Sequence, residues 1–487
     1  MQIRMSRLPV WANRIMQHIE KPHDPITYSG LLATGEYHYG RGHMKGETAF
    51  VLTHESNPQR TEKSMSIIAL AITRSLGRKG IAVVRIHPNL LDRSLTSKYC
   101  TKVEISPDFY ASEKDLLAFL LAMKDRYEGT RLLIPGSDDI AYFVSKYHDA
   151  LSGSFKVLAP DRAVMEIILD KKSQYEHAAS LGIPIPETWF PAGSNDVRKL
   201  AAELTNYPYV IKPLVAHTWR RAAMKGVSQG KKGFAVHDAQ AMISQYETIA
   251  QGDTNVMIQE VIGGSDERLF TFLSYFDEQS RPVAYCIRKK LRQLPVDFGY
   301  CTMGVSCHDD VVRDQSIRLL QGLDYHGISG VEWKHDPRTG QYKLIEVNPR
   351  AGSTIGIATA SGVDLPYLAF RDKLHGSEKR TTAWLDGVKW IDFEQDFWAA
   401  RELHKRGKLS LSDWWQSLVG QKTHAVYASD DIRPFVDYLF GFMKMRLVER
   451  WKRKLQPILL RSGIWAGRSL QHSDTGKAAQ TTTAAPR

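Results

Sequence analysis

The chain has 487 residues, 43% of them hydrophobic and 24% charged, and its 65 Lys+Arg against 53 Asp+Glu give a net charge of +12. This composition excludes a collagen-like chain, a disulfide scaffold and a mainly disordered chain, and the length sets an expectation of roughly two to four domains. A chain of this size buries large cores without staples.

Residues 1–46 predict an irregular extension rich in Gly, His and Tyr. Its basic start is broken by Pro9 and has no continuous apolar run, so it does not read as a secretory signal. The spacing Gly40-x-Gly42-x-x-x-Gly46 is one residue too long for a dinucleotide fingerprint and follows no strand, so a loop is expected.

Residues 47–160 alternate short apolar runs with helical patterns. Strands are predicted at 49–53, 81–86, 131–135 and 155–159, and helices at 62–79, 112–126 and 138–151. That alternation implies a parallel, doubly wound α/β sheet. Pro135-Gly-Ser-Asp-Asp139 ends a strand on the side where open parallel sheets place ligands. Asp138 is expected to cap the following helix, with a substrate role as its alternative.

Residues 161–376 change rhythm to longer, antiparallel-looking strands with one helix between Asp238 and Ala250. Residues 377–440 carry Trp384, Trp390, Trp398, Trp414 and Trp415 and predict a helical appendage with those rings in its core. In residues 441–487, ten Lys/Arg face only Glu449 and Asp474, so +8 of the net charge lies there. Leu439, Met443, Leu447, Trp451 and Leu455 recur every four residues, an apolar helical stripe among Lys444, Arg446, Arg450, Lys452, Arg453 and Lys454. Such a helix packs on the body with a solvated basic face, or lies on an anionic membrane surface. Nucleic acid is the weakest reading, because no groove-reading motif accompanies the charge. The final residues are of low complexity and predict disorder.

Cys100, Cys286, Cys301 and Cys307 form no C-x-x-C pair, so reduced thiols in a cytoplasmic protein are expected. No apolar run approaches the ~20 residues of a membrane span. Peripheral contact with the inner face of the membrane is the alternative location.

The chemistry concentrates in four stretches of the middle segment: Asp170-Lys171-Lys172 followed by a helix and Gly182-Ile-Pro-Ile-Pro186, Tyr209-Val-Ile-Lys212-Pro213, Val256-Met-Ile-Gln-Glu260-Val261-Ile262-Gly-Gly264, and Gly330-Val-Glu332 followed by Leu344-Ile-Glu346-Val-Asn348-Pro-Arg350. The two glutamates of the last stretch flank a turn at 335–340, so antiparallel pairing sets Glu332 beside Glu346. Like charges placed opposite each other cost stability unless compensated. Asn348 shares the face of Glu346, and two carboxylates with an amide oxygen suit Mg²⁺, with Mn²⁺ as a substitute. Lys212, ending an apolar strand, offers a point charge to phosphates. Gly226 to Gly233 predict a mobile glycine loop whose amides, with Gly230, Ser228, Lys231 and Lys232, close over phosphates. In the basic stretch Ile287–Gly299, Arg288 and Lys290 share a face suited to a γ-phosphate and a substrate carboxylate.

As an ordered set, "DK…GIPIP / YVIKP / QEVIGG / GVEWKHD…LIEVNPR" resembles the ATP-grasp superfamily over residues 47–376. The basic stretch looks like that of bacterial carboxylate–amine ligase-like ATP-grasp proteins. The resemblance implies a Rossmann-like domain at 47–160, an ATP-grasp domain of two α+β subdomains at 161–376, then the helical appendage at 377–440 and the basic tail at 441–487. It places Lys171 and Lys212 on ATP phosphates, Glu260 with the backbone of Val261 and Ile262 on adenine, and Glu267, or its neighbour Asp266, on ribose. Glu332, Glu346 and Asn348 take Mg²⁺, and Arg350 meets the transferred phosphate or an acyl phosphate. The glycine loop departs from the compact loop of many members, being long and holding Trp219, Arg220 and Arg221. The implied activity joins a small carboxylate to an amine through an acyl phosphate, releasing ADP and phosphate. Alternatives are a thiol or hydroxyl acceptor, or a membrane-peripheral ATP-binding module without ligase activity. Dimers are common among such folds, so a homodimer is expected by resemblance.

Overall fold

In the computed structural model, the residues described are 46–54, 64–215, 218–220, 227, 232–376, 380–441 and 443. Gly230, nearly all of the predicted extension and the basic stripe beyond Met443 lie outside them.

The first sheet holds β1 (Thr48–Leu52), β2 (Ala82–His87), β3 (Lys102–Ile105), β4 (Arg131–Pro135) and β5 (Lys156–Val157), all parallel in the order β3-β2-β1-β4-β5. Every residue of β1 is buried, as a central parallel strand covered on both faces requires. Ala49 and Val51 pack with Ile72 and Leu76 of the helix Ile67–Arg78. Phe50 and Leu52 point the other way, into Leu116, Leu120, Ile140 and Phe143. The alternation along one strand thus builds two cores. β3 escapes a reading by apolar runs because its residues KVEI are largely exposed. The two long predicted helices each break, into Glu113–Leu121 with Met123–Arg126 and Asp138–Lys146 with His148–Ser152. Asp138 is not the cap: the Ser137 hydroxyl accepts the Ile140 N–H, and Asp138 starts the helix with its carboxylate turned elsewhere.

A four-stranded antiparallel sheet follows, with β6 (Thr188–Trp189), β7 (Tyr209–Pro213), β8 (Phe234–Val236) and β9 (Val256–Glu260) in the order β6-β9-β7-β8. The third sheet comprises β10 (Leu269–Phe276), β11 (Pro282–Leu294), β12 (Tyr300–Cys307), β13 (Gly327–His335), β14 (Tyr342–Asn348), β15 (Lys389–Ile391) and β16 (Lys422–His424), in the order β14-β13-β10-β11-β12-β15-β16. The helices expected after Lys172 and between Asp238 and Ala250 are found at Lys171–Ser180 and Ala239–Ala250. Unexpected helices also run over Arg162–Leu169, Ser194–Glu203, Asp310–Gly322, Gly356–Ala360 and Leu365–His375. Ser194–Glu203 shows why: it buries only Val197 and Ala201, leaving no wide apolar stripe to read.

The segment after 376 is not purely helical either. Its helices Phe393–Lys405 and Leu411–Ser417 alternate with β15 and β16, which extend the large sheet. Trp390 and Trp414 are buried, but Trp415 is 62% exposed and lies outside the core. Asp396 is fully buried. Its carboxylate accepts from Arg292 Nε and Nη2 (both 2.8 Å), Thr302 Oγ1 (3.0 Å) and Trp414 Nε1 (2.9 Å). Arg292 stands where the β11–β12 register shifts twice, between Lys290 and Gln293. The segment therefore pins an irregular stretch of β11 from behind.

Removing one member of such a buried ion pair strands the other. Asp396→Ala is expected to cost about 3–5 kcal/mol, and Arg292→Met with Asp396→Leu distinctly less. Urea unfolding of the three chains measures this, and equal costs for single and double replacement would refute the assigned pair.

Candidate functional site

The site begins with a row across the large sheet. Glu346 lies opposite Glu332, Glu332 opposite Thr271, and Thr271 opposite Arg288. Residues opposite one another share a face, so four strands present these side chains on one side. Gly330 pairs with Asn348, which adds the amide to that side and leaves room beside it. Gly340, at φ +71°, makes the hairpin turn that sets the β13–β14 register.

Arg288 is buried, and its Nη2 donates to Thr271 Oγ1. Its Nε and Nη1 have no hydrogen-bond partner among the described residues. A buried guanidinium left partly unsatisfied is costly, and an arriving anion removes that cost. Lys290 is on the same side of β11; its Nζ donates to Gln293 Oε1 at 3.1 Å. Burial pushes the Lys290 amine down, against the pull of the Glu332 carboxylate.

Lys171 opens its helix just after Asp170, whose side chain caps it, and reaches Glu346 Oε2 at 3.4 Å. Lys212 leaves β7 and donates to Gln259 Oε1 at 3.0 Å. Burial lowers the Lys212 amine to about 8, with Glu346 opposing the change and Lys171 and Lys232 adding to it. For Glu346, burial pushes up, but Lys171, then Lys232, the Asn348 amide and Lys212 hold the carboxyl at about 2. Lys232 also lies 3.6 Å from the centre of the Tyr300 ring, at the start of β12.

Arg350 Nη2 reaches Asn348 Oδ1 at 3.4 Å, and its Nε lies 2.9 Å from Asp138 Oδ1. The first sheet thus touches the row directly. Sequence reading missed this contact, along with Thr271, Gln259 and Gln293. Register held a signal for Gln259: Lys212 faces Met257, so Gln259, two residues on, shares its face.

The structure brings Lys171, Lys212, Arg288, Lys290, Glu332, Glu346, Asn348 and Arg350 together, with Lys232 at the margin. Three other predicted residues stand differently. Glu260 ends β9, but its carboxylate is engaged by Lys343 and Arg338 and accepts the Glu187 N–H at 3.0 Å. Only the backbone there, continuing to Val261 and the buried Ile262, is left for a ligand. Glu267 lies 3.6 Å from Lys289, which alternates with Arg288 to the other face of the sheet. With Ser265, Arg268, Phe270, Lys289, His335 and Tyr342 it lines a separate cavity of about 350 Å³. Asp266 turns toward the row instead, accepting from Gln293 Nε2 at 2.7 Å; burial raises its carboxyl.

No group of three or more His, Cys, Asp or Glu suited to a metal occurs among the described residues. Two opposed carboxylates and one amide fit a cation that takes its other ligands from phosphate and water, as Mg²⁺ does.

Comparison with known proteins bears on this arrangement. A family model described as "ATP-grasp in the biosynthetic pathway with Ter operon" matches residues 277–395. The chain is 24% identical to the D-aspartate ligase of Enterococcus faecium over 281 residues, 56% of this chain and 66% of that protein. It is 20% identical to the carbamoyl phosphate synthase large chain of Pyrococcus furiosus over 308 residues, 61% of this chain and 27% of that one. The matches thus span less than two thirds of these relatives. The biotin carboxylase domain of a Hydrogenobacter thermophilus 2-oxoglutarate carboxylase, solved with MgADP and bicarbonate, superposes with a TM-score of 0.53 at 14% identity, covering 70% of this chain and 72% of that one. The Staphylococcus aureus N5-carboxyaminoimidazole synthetase, solved with ADP, gives a TM-score of 0.51 at 12% identity over 69% and 79%. At such identities the shared property is the fold.

The Lys212–Glu346 coupling is directly measurable. Glu346→Gln removes a negative charge that favours the Lys212 ammonium, so the Lys212 midpoint should fall further below about 8. Site-resolved acylation rates against pH read that midpoint, and an unchanged value would show the pair uncoupled.

Proposed function

We propose that this ATP-grasp protein uses ATP and Mg²⁺ to convert a small carboxylate into an acyl phosphate and joins it to an amine. The observation that carries this reading is the row Glu346–Glu332–Thr271–Arg288, with Lys171, Lys212, Lys290 and Arg350 around it. Cations that outnumber carboxylates on one sheet face suit a polyphosphate and a second anion. The named activity of the Enterococcus relative, a ligase of D-aspartate, supports the same chemistry.

In the first step a carboxylate oxygen attacks the γ-phosphorus, and ADP leaves with the electrons of the broken P–O bond. Catalysis here is alignment and charge neutralisation. Lys171 and Lys212 hold the phosphates, while Arg288 and Lys290 hold the phosphoryl group and the carboxylate together. Glu332, Glu346 and Asn348 would hold Mg²⁺, which supplies further positive charge to the phosphate oxygens. In the second step the amine nitrogen attacks the acyl carbon, and phosphate departs with the electrons of the C–O bond. Arg350, fixed by Asp138, is placed to meet that phosphate. Adenine rests on the backbone at 260–262, and Asp266 takes the ribose role in preference to Glu267.

The domain scheme proposed with this activity is a Rossmann-like domain at 47–160, the ATP-grasp domain at 161–376, the segment 377–440 and the basic tail 441–487. No helix among the described residues is long and apolar enough to cross a membrane. An anionic membrane surface as partner of the tail is favoured by the exposed Phe393, Phe397 and Trp415 of the preceding helices. A homodimer rests on the resemblance alone.

The test is incubation with Mg-ATP and pooled amino acids, other small carboxylates and amines. Substrate-dependent ADP and phosphate are expected, falling roughly 100-fold or more in Glu346→Ala. AMP and pyrophosphate as products would overturn the acyl-phosphate route. A second outcome follows from Lys212. Its amine sits near 8 rather than 10.5 without ligand, and a bound polyphosphate raises it. Nucleotide binding between those two values should therefore take up protons, read by calorimetry in buffers of different ionisation enthalpy.

A further inference from the structure

The turn before β10 has two sides. On the side of the row, Gln293 donates to Asp266 at 2.7 Å, and Lys334 Nζ donates to the carbonyls of Gly264 and Ser265 at 3.3 and 3.0 Å. Glu267 and Arg268, the next two residues, belong to the other side. There they meet Phe270 of β10, Lys289 of β11 and the β13–β14 hairpin around the cavity of about 350 Å³. Strand alternation keeps that cavity apart from the row. Phe270 lies opposite Lys289, while their neighbours Thr271 and Arg288 lie opposite each other on the far face.

One wall of the cavity is aromatic. The Tyr342 ring stands edge-on to Phe270 at 5.5 Å and to His335 at 4.9 Å, and its hydroxyl is fixed by donating to Asp309. The other wall is basic. Arg268 Nη1 is 2.7 Å from His335 Nδ1. A guanidinium only donates, so Nδ1 accepts and the imidazole proton sits on Nε2. The Arg268 stem lies across Gly264, where an added Cβ would stand 2.4 Å from its Cδ. The bond to His335 uses one of five N–H groups, and no other partner of this guanidinium occurs among the described residues.

The acids nearby leave this charge largely unanswered. Asp309 accepts the Val312 N–H at 3.0 Å and the Tyr342 hydroxyl. Glu267 is 3.6 Å from Lys289, beyond hydrogen-bond reach, and its side chain is 58% exposed. Two cations and an aromatic wall thus face one loosely held carboxylate. The cavity volume lies near the lower end of the roughly 300–1,000 Å³ of small-molecule sites, which fits a small anion with an apolar body.

We propose that this cavity is an effector site for a small organic acid, whose carboxylate bridges Arg268 and Lys289 and whose body lies against Phe270 and Tyr342. The bridge replaces the long Glu267 contact with charge-assisted bonds to the turn and to β11 at once. Glu267, on the exposed side, turns to solvent. The turn is thereby fastened to the large sheet, and Asp266 is steadied on its opposite side. The site itself does not depend on the ligase reading. Its effect, a tighter hold on the nucleotide, rests on that reading through the ribose role of Asp266.

The full chain is titrated calorimetrically with benzoate, succinate and inorganic phosphate, alongside Lys289→Gln and Arg288→Gln. The Lys289 side chain is 34% exposed, so its replacement spares the fold. The row also takes anions, so two classes of carboxylate site are expected. One weakens roughly tenfold or more in Arg288→Gln, the other by as much in Lys289→Gln. Affinity for a non-hydrolysable ATP analogue with Mg²⁺ should rise about fivefold or more with benzoate in the unaltered chain, and not in Lys289→Gln. Acid binding equal in the unaltered chain and Lys289→Gln would overturn the proposal. So would phosphate binding more tightly than either acid at the Lys289 site, or a benzoate effect on the nucleotide that persists in Lys289→Gln. If the analogue fails to bind while a Lys289-dependent acid site is present, the ATP reading falls and the acid site stands.

Discussion

Everything at the site turns on two carboxylates held opposite each other on neighbouring strands. Glu332 and Glu346 face one another because a hairpin closing at Gly340 fixes the register of β13 and β14. Alone, that arrangement repels itself. The protein answers with cations from three separate elements. Lys171 comes from a helix N-terminus, Lys212 from the small sheet, and Arg288 with Lys290 from β11. Glu346 is kept ionised at about 2 by this surround, and Lys212 is brought down to about 8 by its burial in it. The two values describe one electrostatic arrangement: a small anionic centre inside a larger cationic shell.

The sheets exist to bring these elements to one place. The large sheet supplies a flat face on which four strands line up their side chains. The small sheet contributes one lysine, which Gln259 keeps aimed. The parallel sheet contributes no cation, but Asp138 steadies Arg350 from it. Three sheets therefore meet at one polar seam: the large one brings carboxylates and cations, the small one a lysine, and the parallel one an aspartate.

Much of this was legible in the sequence for a physical reason: strand alternation has a period of two, so Glu332, Glu346 and Asn348 had to share a face once the turn between them was recognised. The parallel sheet was legible from its alternating apolar runs, apart from β3, whose exposed charges hide it. The helix Ser194–Glu203 was not, since it buries only a valine and an alanine where a stripe would show more. The engagement of the Glu260 side chain was hidden by long-range pairing, because Arg338 and Lys343 arrive from 78 and 83 residues away along the chain. Glu267 and Asp266 are adjacent, and only the local turn decides which of them faces the row. Asp138 lost its capping role to Ser137 one residue earlier, a choice that composition alone does not resolve.

The clamp on Arg292 has a consequence for where this chain can be divided. Arg292, Thr302 and Trp414 meet around the one carboxylate of Asp396, and β15 and β16 complete the edge of the large sheet. A protein shortened to the boundary suggested by its motifs, at 376, would keep every charged residue of the row. It would also bare the β12 edge to other chains and leave Arg292 without its counter-ion beneath Lys290. The smallest autonomous unit of this fold therefore extends well past its last motif, and homologous recombination or domain grafting has to carry the later segment with it.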